Sequence, residues 1–201
     1  MNHGKELKSQ KRFAKFISSI THPPLVSIPT FAIINFYILG MNKSIDITLI
    51  CLIFAALIPI ITSLILIKKM KTDIDITDRT KRTFPLLFAV LSYIIGFFIL
   101  YAVGAPSLTT VLMLIYFSNT LFILFITLSW KISIHAMGVA GPTVALIYLF
   151  GYKGVIFGLI IPLVIWSRVK LNKHTIAQVL AGSVLGLTLT AVQLYFLVPL
   201  I

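Results

Sequence analysis

The chain has 201 residues, of which 59% are hydrophobic, and its mean hydropathy is +1.05. Several apolar runs approach the ~20 residues that cross a bilayer, which excludes an ordinary water-soluble domain. The 17 Lys and Arg against 5 Asp and Glu would suggest nucleic acid as a partner of a soluble chain. Here the charges lie in short segments between apolar runs, so membrane lipids and a phosphorylated lipid substrate are the expected partners, and nucleic acid is not.

Residues 1–20 form a basic segment in which apolar side chains such as Phe13, Phe16 and Ile17 alternate with lysines. This pattern predicts an amphipathic helix on the membrane surface, followed by a transmembrane domain over 21–201. Seven apolar runs follow, at about 24–39, 45–67, 85–103, 108–129, 135–150, 155–166 and 175–198. Because the fifth and sixth runs are short, the sequence predicts an all-α, polytopic transmembrane bundle of six or seven spans.

Three polar segments are each separated by two predicted spans, so they are expected on the same side of the membrane. They are the charged segment 68–85, the segment with Ser133 and His135, and the segment with Arg168 and His174. All 17 Lys and Arg except Lys43 and Lys153 fall on that side. The positive-inside rule therefore predicts a composite site that faces the cytoplasm, in a prokaryotic inner membrane.

The stretch Ser167-Arg168-x5-His174-x3-Gln178 resembles the signature S-R-x5-H-x3-D of the type-2 phosphatidic acid phosphatase family. Ser133-Ile134-His135 resembles the end of the second family signature, P-S-G-H. The segment 71–85 resembles the first signature, K-x6-R-P, more loosely. The order of the three segments and their expected position on one side of the membrane agree with the family.

The resemblance implies a lipid phosphate phosphatase that needs no metal and no cofactor. It assigns His174 as the nucleophile that forms a phosphohistidine, and His135 as the acid for the leaving group. It makes Gln178 the partner of the His174 ring. The residues that it assigns to phosphate binding are Lys71, Arg79, Arg82, Ser133 and Arg168.

The chain departs from the family pattern at three places. Gln178 replaces an aspartate that would stabilise the charged histidine; its carbonyl can still accept a hydrogen bond from the ring. Ile132 and Ile134 replace the proline and glycine of P-S-G-H. In the first signature, the spacing does not decide whether Arg79 or Arg82 contacts phosphate.

Alternative functions remain open at this point. Within the same family, the chain could act on a polyprenyl (undecaprenyl) diphosphate, or could bind or transport lipids without catalysis. A metal-dependent prenyltransferase could use the cluster Asp73-x-Asp75-x-x-Asp78, but such enzymes need a second aspartate cluster, and no Asp or Glu follows Asp78. The sequence does not indicate an oligomeric state.

Overall fold

The protein is a helical bundle in the computed structural model, which describes residues 3–73, 76 and 78–201. All regular elements of these residues are helical, so the predicted all-α class is confirmed. The α-helices are α1 (His3–Ile20), α2 (Pro23–Leu39), α3 (Met41–Leu52), α4 (Ile58–Met70), α5 (Thr83–Ala102), α6 (Ser107–Ser129), α7 (Ile134–Phe150), α8 (Ile160–Lys170) and α9 (Ile176–Leu197). A π-helical segment, Ile53–Leu57, joins α3 to α4, and 3-10 segments cover Arg79–Arg82, Gly151–Leu159 and Val198–Leu200.

Five helical stretches in the described part of the chain are long and apolar enough to cross a membrane. They are Met41–Met70, Arg79–Ala102, Ser107–Ser129, Ile134–Lys170 and Ile176–Leu200. A sixth is obtained when Glu6–Ile20 and Pro23–Leu39, which meet at 55°, are taken as one bent span. The chain is therefore an integral membrane protein that crosses the bilayer several times, as predicted.

The stretch Ile134–Lys170 is a hairpin and not one straight span. A straight helix would place His135 and Arg168 on the order of 50 Å apart, yet both line one cavity. At the turn, a Cβ added to Gly154 would lie 2.5 Å from the carbonyl oxygen of Leu146, so the 3-10 segment packs directly back on α7. The two limbs correspond to the short runs predicted at 135–150 and 155–166.

The turns differ between the two ends of the bundle. At the end opposite the predicted site, Gly40, Gly104 and Gly151 have φ of 71°, 66° and 62°, which favours glycine because it has no Cβ. At the site end, side chains cap the helices. The Ser133 hydroxyl accepts from the Ala136 N–H at the start of α7, and Thr175 and Gln178 form a capping box at the start of α9.

Close packing of α7 on α9 brings the two predicted catalytic histidines into one region. A Cβ on Gly182 would lie 2.6 Å from the carbonyl oxygen of Ser133, and one on Gly186 would lie 2.8 Å from the Cβ of Ala140. The glycines thus allow a backbone approach that any side chain would block. The G-x3-G spacing of Gly182 and Gly186 is therefore a helix-packing feature of α9.

The amphipathic segment is helix α1, and it has a protein-facing side as well as an exposed one. Ala14 and Ile17 are buried, whereas Phe13 and Phe16 are exposed. The Phe13 ring also contacts Trp166 of α8, with ring centroids 5.7 Å apart. The helix therefore lies across the end of α8 at the edge of the bundle.

Candidate active site

Polar side chains from five parts of the chain line one cavity at the same end of the bundle. His22 precedes α2, Arg82 precedes α5, His135 lies in the first turn of α7, Arg168 lies in the last turn of α8, and His174 precedes α9. The span count predicts this convergence for four of them. Since each comes from a different element, the assembled fold is needed to form the site.

The cavity has a basic part and an apolar part. Its volume is about 140 Å³, and part of it is open to the surroundings. The apolar part is lined mainly by Leu86, Ala89, Tyr93, Leu112, Ile115 and Ile123. From Leu86 to Tyr93, α5 rises by roughly 10 Å, so the apolar lining covers about that length of the helix. None of the described residues that line the cavity is Asp or Glu.

His174 is oriented by Gln178 through the capping box of α9. The Gln178 Oε1 atom lies 3.2 Å from the backbone N of Thr175 and 3.2 Å from Nδ1 of His174. The Thr175 N–H can only donate, so the amide oxygen is assigned to this position. Nδ1 of His174 must then carry the proton, and Nε2 carries the lone pair. The carbonyl contact expected from the sequence is present.

The surroundings of His174 keep its ring neutral. Burial lowers the pKa of His174 to about 3, and the positive charges of Arg82, Arg168 and Lys131 act in the same direction. The hydrogen bond with Gln178 opposes them by raising the pKa. A neutral imidazole with a lone pair on Nε2 is the form that a nucleophile requires.

Arg82 is held in the cavity wall by backbone carbonyl groups. Its Nε donates to the Ile76 oxygen at 2.7 Å, and one terminal nitrogen donates to the Ile132 oxygen at 3.2 Å. The residue is only 3% exposed. The bond to Ile132 places Arg82 beside the segment that leads to His135, so of the two candidate arginines Arg82 is the one that reaches the cavity.

Lys71 and Arg79 are not brought into the cavity. Lys71 is exposed and caps the C-terminus of α4 in a left-handed conformation, with φ of 48°. Arg79 donates to the carbonyl oxygens of Thr127, at 3.1 Å, and Leu128 at the end of α6. Neither is among the described residues that line the cavity. For both residues, a contact with phosphate stays a prediction. In the structure, the Arg79 side chain caps the C-terminus of α6.

Ser133 lies behind the cavity, where it links α7 to α9. It is fully buried, and its hydroxyl caps α7 by accepting from the Ala136 N–H at 3.4 Å. Its own N–H donates to the backbone oxygen of Gln178 at 3.2 Å. The structure therefore shows Ser133 fixing the start of the helix that carries His135, and its predicted contact with phosphate remains a prediction.

Arg168 is connected to α1 as well as to the cavity. It is 1% exposed, and a terminal guanidinium nitrogen donates to the Ser18 hydroxyl oxygen at 2.5 Å. The neighbouring Ser167 hydroxyl donates to the Ala14 carbonyl oxygen at 2.7 Å. The sequence motif identifies Arg168, but nothing in it indicates that the amphipathic segment supplies its partner.

His22 lines the cavity although none of the three sequence motifs includes it. It lies directly before the two prolines that begin α2, at the bend between α1 and α2. In the structure the His22 ring lies against His135, with centroids 5.3 Å apart and planes at 82°. Its position in the sequence could have indicated a place in the site, because His22 precedes a span on the side where the other polar segments lie.

The aspartates of the charged segment have protein partners where the structure describes them. Asp73 forms an ion pair with Lys173 at 2.8 Å. Asp78 accepts from the N–H and hydroxyl of Thr80, and these bonds lower the pKa of the Asp78 carboxyl. Asp75 lies outside the described residues. Asp73 thus pairs with a lysine from the segment before α9, while the Asp78 carboxylate caps a 3-10 segment.

No protein-family model, curated protein or solved structure matches this chain. Functional conclusions therefore depend on the chemistry of the cavity and on the sequence motifs.

Proposed function

We propose that this protein is a membrane-embedded lipid phosphate phosphatase that acts through a phosphohistidine on His174. The observation that carries this proposal is a single cavity in which two arginines and three histidines adjoin an apolar interior. The basic part suits a phosphoryl group, and the apolar part suits the hydrocarbon tail of the same molecule. A lipid phosphate has both parts in one substrate.

The arrangement supports a two-step reaction. Nε2 of His174 attacks phosphorus, and the bond from phosphorus to the lipid oxygen breaks, while His135, which takes up a proton as the phosphate anion binds beside it, gives that proton to the lipid oxygen. Water then attacks the phosphohistidine, phosphate leaves, and the proton released by the water restores His135. Arg82 and Arg168 neutralise the negative charge on the phosphoryl oxygens. Positioning of the substrate and stabilisation of this charge account for most of the catalysis of phosphoryl transfer.

The lining of the cavity supports a substrate class. The apolar part suits a hydrocarbon chain, and the basic part suits either one phosphate or two. A phosphatidate-like lipid is the proposed substrate, and a polyprenyl diphosphate is the second candidate because its single chain would also fit an interior cavity. If the protein releases no phosphate from any lipid phosphate, the remaining candidate function is lipid binding without catalysis.

Purified protein supplied with lipid phosphates of different chains and headgroups tests the proposal. We expect release of inorganic phosphate from at least one lipid phosphate, unchanged by EDTA, since cationic side chains do the neutralising. Comparison of monophosphates with diphosphates decides between the two candidate substrates. If no member of the panel yields phosphate, the enzyme proposal fails; if EDTA stops the release, the metal-independent mechanism fails.

Ala89→Phe tests in the same assay whether the interior holds the lipid tail. Ala89 lines the apolar part of the cavity, and a phenyl ring there would compete with a long chain for space. We expect kcat/KM for a long-chain substrate to fall about tenfold, as for an overfilled core, with little change for a short-chain one. Ala102→Phe, at the exposed far end of α5, is the matched control. Equal losses for both chain lengths would contradict tail binding in the interior.

We also propose that the site faces the cytoplasm of a prokaryotic cell, because of the charge distribution between the two ends of the bundle. Asp78 is exposed at the site end, and Tyr152 is 83% exposed at the other end. In a background in which alanine replaces Cys51, Asp78→Cys should resist a membrane-impermeant maleimide in intact cells, whereas Tyr152→Cys should react. The reverse labelling pattern would place the site outside.

A further inference from the structure

Helix α1 carries three different faces over its described side chains. The face toward α8 is buried and consists of Ala14, Ile17 and Ser18. A second, exposed apolar face consists of Phe13, Phe16 and Ile20. The third face is exposed and basic, with Lys8, Lys11, Arg12 and Lys15. Spacings of three and four residues within each set make each one a continuous stripe.

The buried stripe is fastened to the last turn of α8, which carries Arg168. Besides the bond from Arg168 to Ser18, the Ser167 hydroxyl donates to Ala14, and Nζ of Lys170 donates to Oε1 of Gln10 at 2.6 Å. Three successive points of contact join two helices that are about 150 residues apart in sequence. The end of α8 is therefore joined to α1 at all three points.

The bond to Ser18 bears directly on phosphate binding. A bidentate grip on a phosphoryl group requires the planar guanidinium to be held in one orientation. Ser18 is 7% exposed and accepts from a guanidinium that lines the cavity. Hydrogen bonds that involve a charged donor are the stronger ones, so this contact is well suited to fix the orientation of Arg168.

Helix α1 also forms the wall of a second pocket that adjoins the cavity. Lys15, Ser18 and Ser19 line this pocket on one side, and Ile60 and Leu64 of α4 line it on the other. The two pockets share lining residues, among them His22 and His135. A shift of α1 would thus change the surroundings of the histidine pair as well as those of Arg168.

The exposed stripes define the partner of α1. An apolar stripe with two phenylalanines beside a stripe of four cationic residues is the pattern of a helix that lies in the membrane interface and prefers anionic lipids. The charges match phosphate-bearing headgroups, and the phenylalanines match the acyl boundary below them. An anionic bilayer surface is the occupant that satisfies both stripes together.

We propose that anionic lipid headgroups bind the basic stripe of α1 and that Ser18 transmits this contact to Arg168, so that the lipid surface sets the activity of the site. Ser18 is a positioning residue in this scheme, because it acts on the substrate only through Arg168. The proposal rests on the proposed function for its catalytic consequence, and on the contacts of α1 with α8 for its structural part.

The first test compares two neighbouring serines in nanodiscs. Ser18→Ala should lower kcat/KM about tenfold, whereas Ser19→Ala should not, because the Ser19 hydroxyl donates to the Lys15 carbonyl at an exposed position. Ser18→Thr, which keeps the hydroxyl, should restore activity. The affinity for inorganic phosphate, measured by calorimetry without turnover, should follow the same order. Equal values for Ser18→Ala and Ser19→Ala would overturn the role of Ser18.

The second test varies the lipid. Wild-type activity should be severalfold higher in nanodiscs that contain phosphatidylglycerol than in phosphatidylcholine alone. A variant with Lys8, Lys11 and Arg12 replaced by glutamine should lose this difference and keep the lower, phosphatidylcholine-level activity. The activity of Ser18→Ala should also not depend on the lipid, because the hydrogen bond between α1 and Arg168 is lost. Full lipid dependence in the triple variant would overturn the proposal.

A readout without catalysis separates this proposal from the proposed function. With Trp130→Phe, Trp166 becomes the sole tryptophan, and it contacts Phe13 of α1. Acrylamide, a neutral quencher, should quench Trp166 less in phosphatidylglycerol nanodiscs than in phosphatidylcholine ones, and the triple variant should show no difference. Identical quenching in both lipids overturns the lipid coupling, whereas a lack of phosphate release with altered quenching overturns the phosphatase proposal alone.

Discussion

His174→Ala is expected to reduce phosphate release from a short-chain lipid phosphate by at least about a thousandfold, because it removes the atom that attacks phosphorus. It should also abolish the acid-labile phosphorylated protein that is trapped when radiolabelled substrate is quenched during turnover. Phosphate production and trapped label are both measured on purified protein.

Lys173→Gln is the matched control for this prediction. Lys173 is adjacent in the chain, but its ammonium pairs with Asp73 in the charged segment. The control should retain activity to within a few-fold, and both variants should elute from a sizing column like the wild type. Comparable phosphate release from His174→Ala and the wild type would rule out the phosphohistidine mechanism.

Arg82→Lys is expected to lower kcat/KM by about a hundredfold, which is the usual cost of losing one preorganised group that stabilises transition-state charge. A lysine ammonium cannot span the carbonyl groups of Ile76 and Ile132 and present a planar fork to phosphate at the same time. Arg79→Lys should cost less than about threefold, since Arg79 contacts the end of α6 outside the cavity. Steady-state kinetics of the two variants measures the difference.

Two further measurements make the comparison of these arginines specific. Thermal unfolding in detergent shows whether Arg82→Lys is still folded, and kinetic constants are compared only below its transition. The affinity for inorganic phosphate should fall for Arg82→Lys and not for Arg79→Lys. An equal loss of phosphate affinity in both variants would show that Arg79 also reaches the substrate.

Most of the fold could be predicted from the sequence because a bilayer imposes a simple rule on it. Backbone groups in lipid must be paired within each segment, so apolar runs become helices and their order fixes which loops share a side. This reasoning predicted the helical bundle and brought His135, Arg168 and His174 together. It also separated the two short runs at 135–150 and 155–166, but it could not show that the 3-10 segment Gly151–Leu159 between them packs directly on α7 at Gly154, since hydropathy does not report tertiary packing.

The parts of the site that sequence reasoning missed depend on tertiary contacts. The choice between Arg79 and Arg82 is set by which carbonyl group lies within reach of each guanidinium, and spacing in a loop contains no such information. The contact of His22 with His135 depends on the bend between α1 and α2. Ser18 precedes Arg168 by 150 residues in the sequence, so no local motif could indicate their hydrogen bond.

The capping box of α9 couples the catalytic ring to the most easily frayed part of a helix. One amide, that of Gln178, both closes the first turn of α9 and fixes which nitrogen of His174 carries the lone pair. First turns open at a lower free-energy cost than helix interiors. Warming should therefore inactivate the protein before its helix content falls, with the loss confined at first to a single turn and reversible on cooling.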